Sequence, residues 1–305
     1  MMVFLKLLKG VSLKISFLII CLALSSCSMI SKKNISNQKN QSVKSEAKIE
    51  NEKFSVKPGE VVKINFVKNS LSENAILECD EKKIPYYLEN DRYVAFVAET
   101  YFTNFNDIKC YIDKNSKKTQ VATISVGQKE FPSERLNVDQ RRVSLNAKDL
   151  KRVQKEQVFL NKNYSNSPSH PYFDEPFMLP IDAFVTSIYG SRRLFNNSKQ
   201  TQHLGTDFRA AVGEPIKATN SGKVVVARDL FFTGGTVTID HGLGIFSIYG
   251  HLSKVQVQEG EFVPKGTQIG LAGATGRVTG PHLHWGVKVN GHFIEGESLV
   301  KESAD

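Results

Sequence analysis

The 305-residue chain has only four cysteines and one tryptophan. No two cysteines form a C-x-x-C pair, which excludes a zinc ribbon. H-E-x-x-H is also absent, so a helix-based metalloprotease finds no support. The apolar run from Ile15 to Leu24 is too short to span a bilayer comfortably. Acid is in deficit: 40 Lys and Arg stand against 31 Asp and Glu, a formal charge of +9. That excess is uneven. Residues 27–53 hold six lysines against three glutamates, and residues 127–172 hold nine basic against five acidic residues. From Pro176 onward there are twelve basic and eleven acidic residues. A basic excess confined to a tail and a connector reads as solvated linker, and no nucleic-acid partner is expected.

What is present begins with Lys6, Lys9 and Lys14 ahead of the apolar run, which ends in Leu24-Ser25-Ser26-Cys27. Charged, apolar and small-residue regions in that order read as a secretory signal, and the last four residues resemble a bacterial lipobox. The expectation is a signal peptide over 1–26, a lipid on Cys27 that anchors the protein to a membrane, and a flexible Ser/Asn/Lys-rich tether over 27–53. Ser28 is not the aspartate that holds lipoproteins at an inner membrane, so an outer membrane, facing the periplasm, is the expected address. An exported chain meets oxidising conditions, and Cys79 and Cys110 are expected to be joined.

Residues 54–127 carry short alternating runs, "VVKINFV", "AILEC", "RYVAFVAE", "DIKCYI" and "QVATISV", split by turn residues. They read as a small β-sandwich-like module. Residues 128–175 read as a helical connector and linker. Leu145, Leu150, Val153, Val158 and Leu160 fall at roughly helical spacing after a candidate N-cap, Asn146. The Pro- and Ser-rich "SNSPSHPYFDEP" that follows holds His170, expected to be exposed and inert. Residues 176–305 alternate strand-like runs with tight Gly turns, the pattern of an antiparallel β domain. The fold class is mainly β.

Chemistry concentrates in three segments of that last domain. "HLGTD" supplies His203 and Asp207, "IYGHLS" supplies His251, and "GPHLHWGV" supplies His282 and His284. In a strand His282 and His284 point one way while Leu283 and Trp285 point into the core. Catalytic zinc keeps three protein ligands and one open position. Two histidines with an aspartate satisfy that, leaving two histidines for proton transfer. His241, before Gly242, reads as structural, and His292, beside Asn290-Gly291, as an exposed turn residue.

At these residues, and in "SIYGSRR", "GEPIKATNSGKVV", "GGTVTIDHGLG" and "GEFVPKGTQIGLAGATG", the sequence resembles the lysostaphin-type (LytM-like) zinc metallo-endopeptidases, which cut peptide bonds in peptidoglycan. The resemblance covers about 180–291, with the segments in the family's order. It implies an antiparallel β peptidase domain of the duplicated hybrid kind. Zn2+ would be held by His203, Asp207 and His284, and His251 and His282 would flank the activated water. Peptidoglycan stem peptides would be the partner. "FIEGES" departs from the Asp-Pro common after the family's final strand, which bears on C-terminal packing.

Two other readings compete with the enzyme. Zinc-less relatives act as non-catalytic activators or wall-binding proteins, but all five residues are retained here. A biotinyl or lipoyl carrier needs a lysine at its hairpin tip, where this chain has Asn220-Ser221-Gly222.

Overall fold

Most short runs after Glu52 have one apolar side to bury, and the runs pair into two small sheets whose apolar faces meet. Arg92–Ala98 is buried on both faces, with Ala95 and Val97 inside this module and Phe96 in the main core. The computed structural model describes residues 51–67, 75–114, 117–137, 144–197 and 199–304. The expected signal segment, Cys27 and the tether up to residue 50 lie outside the described residues. One sheet has five strands in the order Glu52–Val56, Lys117–Val126, Ile108–Lys114, Ile76–Cys79 and Lys82–Lys83. The other has three, Val61–Val67, Arg92–Ala98 and Tyr87–Glu89. Ile64, Leu77, Ala95, Cys110, Ile112 and Ile124 fill the space between them. Cys79 and Cys110 lie directly opposite each other and form a disulfide. The bridge joins neighbouring strands of one sheet and does not cross between sheets.

The C-terminal half is built on an eight-stranded sheet. Its order is Val185–Ser187, Thr206–Arg209, His282–Val289, Ile245–Leu252, Gly234–Asp240, Gly222–Leu230 and Phe262–Val263, with His292–Ile294 also paired to His282–Val289. The central strand Ile245–Leu252 is buried at every residue, including the polar Ser247 and His251. Trp285, Tyr249, Phe208, Leu283 and Ile239 are fully buried in this core.

The described residues fall in one compact unit, joined by Val61 and Phe96 in the main core and by two further contacts. The C-terminal helix Gly296–Ala304 lies along the free edge of Val61–Val67. There Ser298 Oγ accepts from the Val61 N–H at 3.0 Å and Glu302 Oε2 from the Lys63 N–H at 3.0 Å. An exposed strand edge is thereby covered. The "EGES" departure serves that helix: a Cβ on Gly296 would run into the Trp285 ring, so the close approach needs glycine. The second contact is a strand within the expected helical connector. Ser133–Leu136 pairs in parallel with Arg192–Phe195.

The connector helix spans Ala147–Tyr164, and Asn146 accepts from the Asp149 N–H, as its cap position predicts. None of its residues is buried. Its apolar spacing does not make a core face, and Leu150 and Val158 stay exposed. The helix is held at its margins instead. Arg152 pairs with Asp229 at 2.8 Å, Glu156 accepts from the Phe231 N–H at 2.9 Å, and Tyr164 packs edge-on to Phe246. The stretch expected to be a Pro-rich linker is packed as well. The Tyr172 N–H donates to the His241 carbonyl, and Phe173 and Phe177 enter the main core.

Candidate metal centre

Asp207 and His284 are direct cross-strand partners, as are Arg209 and His282. Directly opposed residues share a face, so Asp207, His282 and His284 project together while Phe208 and Leu283 point into the core. His203 precedes the strand Thr206–Arg209 and reaches the same place through the turn Leu204-Gly205. A Cβ on Gly205 would lie 2.5 Å from His284 Cε1 and 2.8 Å from the Trp285 carbonyl oxygen. Glycine at that position is what lets the His284 ring sit against the turn.

The three donors converge tightly. His203 Nε2 is 2.9 Å from Asp207 Oδ1, His284 Nδ1 is 2.9 Å from the same oxygen, and the two nitrogens are 3.1 Å apart. Those separations are near the roughly 3.3 Å edge of a tetrahedron with bonds of about 2.0–2.1 Å. Charge makes the same case. Burial pushes His203 down to about 4, so at neutral pH its ring is uncharged and carries one N–H. Nδ1 faces the Ile188 carbonyl at 3.0 Å and Nε2 faces the Asp207 carboxylate at 2.9 Å. One proton cannot serve two acceptors, and a cation between the donors resolves the conflict. Burial alone would raise Asp207, but the His203 and His284 ring nitrogens beside it outweigh that and hold the carboxyl well below its usual range. A neutral imidazole and an ionised carboxylate are the forms a metal takes. The donor set fits zinc.

His251 and His282 face the same cleft with another orientation in common. His251 Nδ1 donates to the Thr275 carbonyl at 2.8 Å, and His282 Nδ1 donates to the Gly280 carbonyl at 2.9 Å. A carbonyl only accepts, so the proton is on Nδ1 and Nε2 keeps its lone pair. His282 Nε2 lies 3.8 Å from Asp207 Oδ1, and the His251 and His282 ring centroids are 4.7 Å apart. Burial, with His284 and His282 alongside, pushes His251 down to about 3. His251 also has a left-handed backbone, at φ +64, a strained conformation of the kind that clusters at functional sites.

The cleft over these residues has a volume of about 530 Å³ and is lined by Phe195, Arg209, Phe232 and Arg277 besides the histidines. The connector helix takes no part in it, but Glu134 and Leu136 of the Ser133–Leu136 strand do. Sequence reasoning missed Ser187 and Arg193, which touch the donor residues, and Glu134, which touches both of those. Arg193 lay within the quoted "SIYGSRR", and nothing in its spacing marked it. His241 is fully buried and structural, as expected, and His170 is exposed. His292 corrects its expectation: it is half-buried, with Nε2 2.8 Å from Lys82 Nζ, because the N-terminal module packs over its turn.

Two histidines and an aspartate on an antiparallel sheet, with two further histidines above them, have the layout of a metallohydrolase centre. The profile of Peptidase family M23 matches residues 201–295. A Pseudomonas aeruginosa crystal structure named for peptidase M23 superposes with a TM-score of 0.63 at 30% identity, covering 81% of this chain and 95% of that one. The chain belongs to peptidase family M23. Among curated proteins, Peptidoglycan DD-endopeptidase ShyA of Vibrio cholerae is 42% identical over 118 residues, 38% of this chain and 27% of its own length. Peptidoglycan DD-endopeptidase ShyB of the same organism is 43% identical over 93 residues, 30% of this chain and 22% of its own. The chain thus matches about a quarter of the length of these relatives.

Proposed function

We propose that the protein is a zinc-dependent endopeptidase that hydrolyses peptide cross-links of bacterial peptidoglycan. The observation that carries this reading is the convergence of His203 Nε2, Asp207 Oδ1 and His284 Nδ1 within 3.1 Å of one another, beside two histidines with free Nε2 lone pairs. Those three atoms would hold the ion. Zinc there supplies a Lewis acid that polarises a peptide carbonyl and brings the pKa of water from about 15.7 towards 7. His251 and His282 handle the proton. Each can accept one at Nε2, and the carbonyls of Thr275 and Gly280 stabilise the imidazolium through Nδ1–H. The protonated ring then returns the proton to the leaving amine or donates to the developing oxyanion.

The cleft suits an extended peptide. The names of the two Vibrio relatives favour D-alanyl–diaminopimelate cross-links over glycine bridges. The proposed setting is the cell envelope, with a lipid on Cys27 holding the enzyme at an outer membrane. Cys27→Ala should release it from the membrane fraction, and retention like that of wild type contradicts the anchor. The activity is tested by digesting purified sacculi and identifying muropeptides by mass. Wild-type protein should convert cross-linked dimers to monomers and His203→Ala should not. Zinc-loaded wild-type protein that leaves dimers intact contradicts the reading.

A further inference from the structure

We infer that Glu134 is a positioning residue of the metal centre. From a strand outside the matched span 201–295, it fixes which nitrogen of His203 and which oxygen of Asp207 face the metal. The inference rests on the zinc reading above.

One arm runs through Ser187. Its hydroxyl donates to Glu134 Oε1 at 2.7 Å and accepts from Arg193 Nη2 at 2.9 Å. A hydroxyl has one proton, and a carboxylate is the stronger acceptor, so Ser187 turns a lone pair towards His203 Nδ1, 3.2 Å away. With the Ile188 carbonyl at 3.0 Å, Nδ1 meets two acceptors and keeps the ring proton. Nε2 is left bare for the metal.

The second arm runs through Arg193, which donates to Asp207 Oδ2 through Nη2 and to Glu134 Oε2 through Nε at 3.4 Å. The guanidinium occupies one oxygen of Asp207 and leaves Oδ1 to the two histidines. Glu134 holds the fork in that pose and balances a cation set beside a dication site. Without it, the fork is free to take both oxygens of Asp207, a geometry Arg and carboxylate favour. Both arms are partly buried, with side-chain exposures of 16% for Arg193 and 26% for Glu134.

The isosteric Glu134→Gln tests this in the full chain. Its amide donates to Ser187, whose proton then turns to His203 Nδ1 and drives the ring proton onto Nε2. Zinc Kd, measured by chelator competition, should rise about 10–100-fold, the usual loss for a partner behind a ligand. Nitrogen NMR of the metal-free protein should show the His203 proton moved to Nε2, a change that a merely structural role would not cause. Ser187→Ala should raise Kd by a smaller factor and serves if Glu134→Gln fails to fold. Combining Glu134→Gln with Arg193→Gln should give a less than additive loss, because Glu134 acts partly through Arg193. Wild-type Kd in Glu134→Gln and Ser187→Ala, or fully additive losses, overturns the inference while leaving the zinc reading standing. A wild-type chain that binds no zinc overturns both.

Discussion

His241 and His203 are both buried, and burial pushes each down to about 4, yet one closes a hydrogen-bond network and the other leaves one open. His241 Nδ1 donates to the Ser221 carbonyl at 2.8 Å, and its Nε2 lies 2.7 Å from Ser247 Oγ. Ser247 Oγ is 2.8 Å from Tyr249 Oη, which accepts from the Thr219 N–H at 2.8 Å. Every polar atom of this network has a partner: His241 through both ring nitrogens, Ser247 through His241 and Tyr249, and Tyr249 through Ser247 and the Thr219 N–H. At His203 the count fails, because a lone pair faces a carboxylate. Burial and a displaced pKa mark both histidines, and the uneven donor count marks only the metal centre.

The sharpest break in that comparison is loss of a donor. His284→Ala leaves two protein ligands, so zinc affinity should collapse and muropeptide release should fall to background. His282→Ala removes proton transfer and no ligand. Zinc content should stay near that of wild type while turnover drops about 10²–10⁴-fold. Gly205→Ala comes next, because the new methyl displaces the His284 ring. Zinc Kd should rise about tenfold or more, with little change in the fold by circular dichroism.

The closed network should answer in stability alone. Replacing His241 with Ala strands the Ser221 carbonyl and the Ser247 hydroxyl and should cost about 1–3 kcal/mol or more, with zinc Kd unchanged. Its pH dependence has a definite sign. The folded-state pKa lies near 4 and the unfolded value near 6.5, so the unfolded chain binds a proton first as pH falls. His241 therefore destabilises the fold progressively between about 6.5 and 4, by roughly 3 kcal/mol in all. Denaturant melts of zinc-free wild type and His241→Gln should converge across that window. The disulfide lies outside the metal site. Reducing Cys79–Cys110 should cost about 2–4 kcal/mol in the N-terminal module and leave zinc binding alone.

The sequence revealed much of this, but unevenly. Four of the five cleft residues lay in the local patterns H-x-x-x-D and H-x-H, His251 was readable only from the resemblance of "IYGHLS" to a family segment, and strand alternation gave the direction of His282 and His284. The β module was readable from turn residues and alternating runs. Glu134 was not: it meets Arg193 across 59 positions and Ser187 across 53, through a parallel pairing that no local pattern announces. Composition misled at "SNSPSHPYFDEP", whose Ser and Pro suggested a linker while Tyr172 and Phe173 bound it to the hairpin and core. His292 beside Asn-Gly had the look of an open turn, and only the packing of the other module over it changed that.

The central claim is that the five cleft residues divide into ion holders and proton carriers. Elemental analysis of zinc per chain in wild type, His284→Ala and His282→Ala, purified side by side, tests it most directly. The account predicts one zinc, almost none, and one. Zinc retained by His284→Ala and lost by His282→Ala would contradict it.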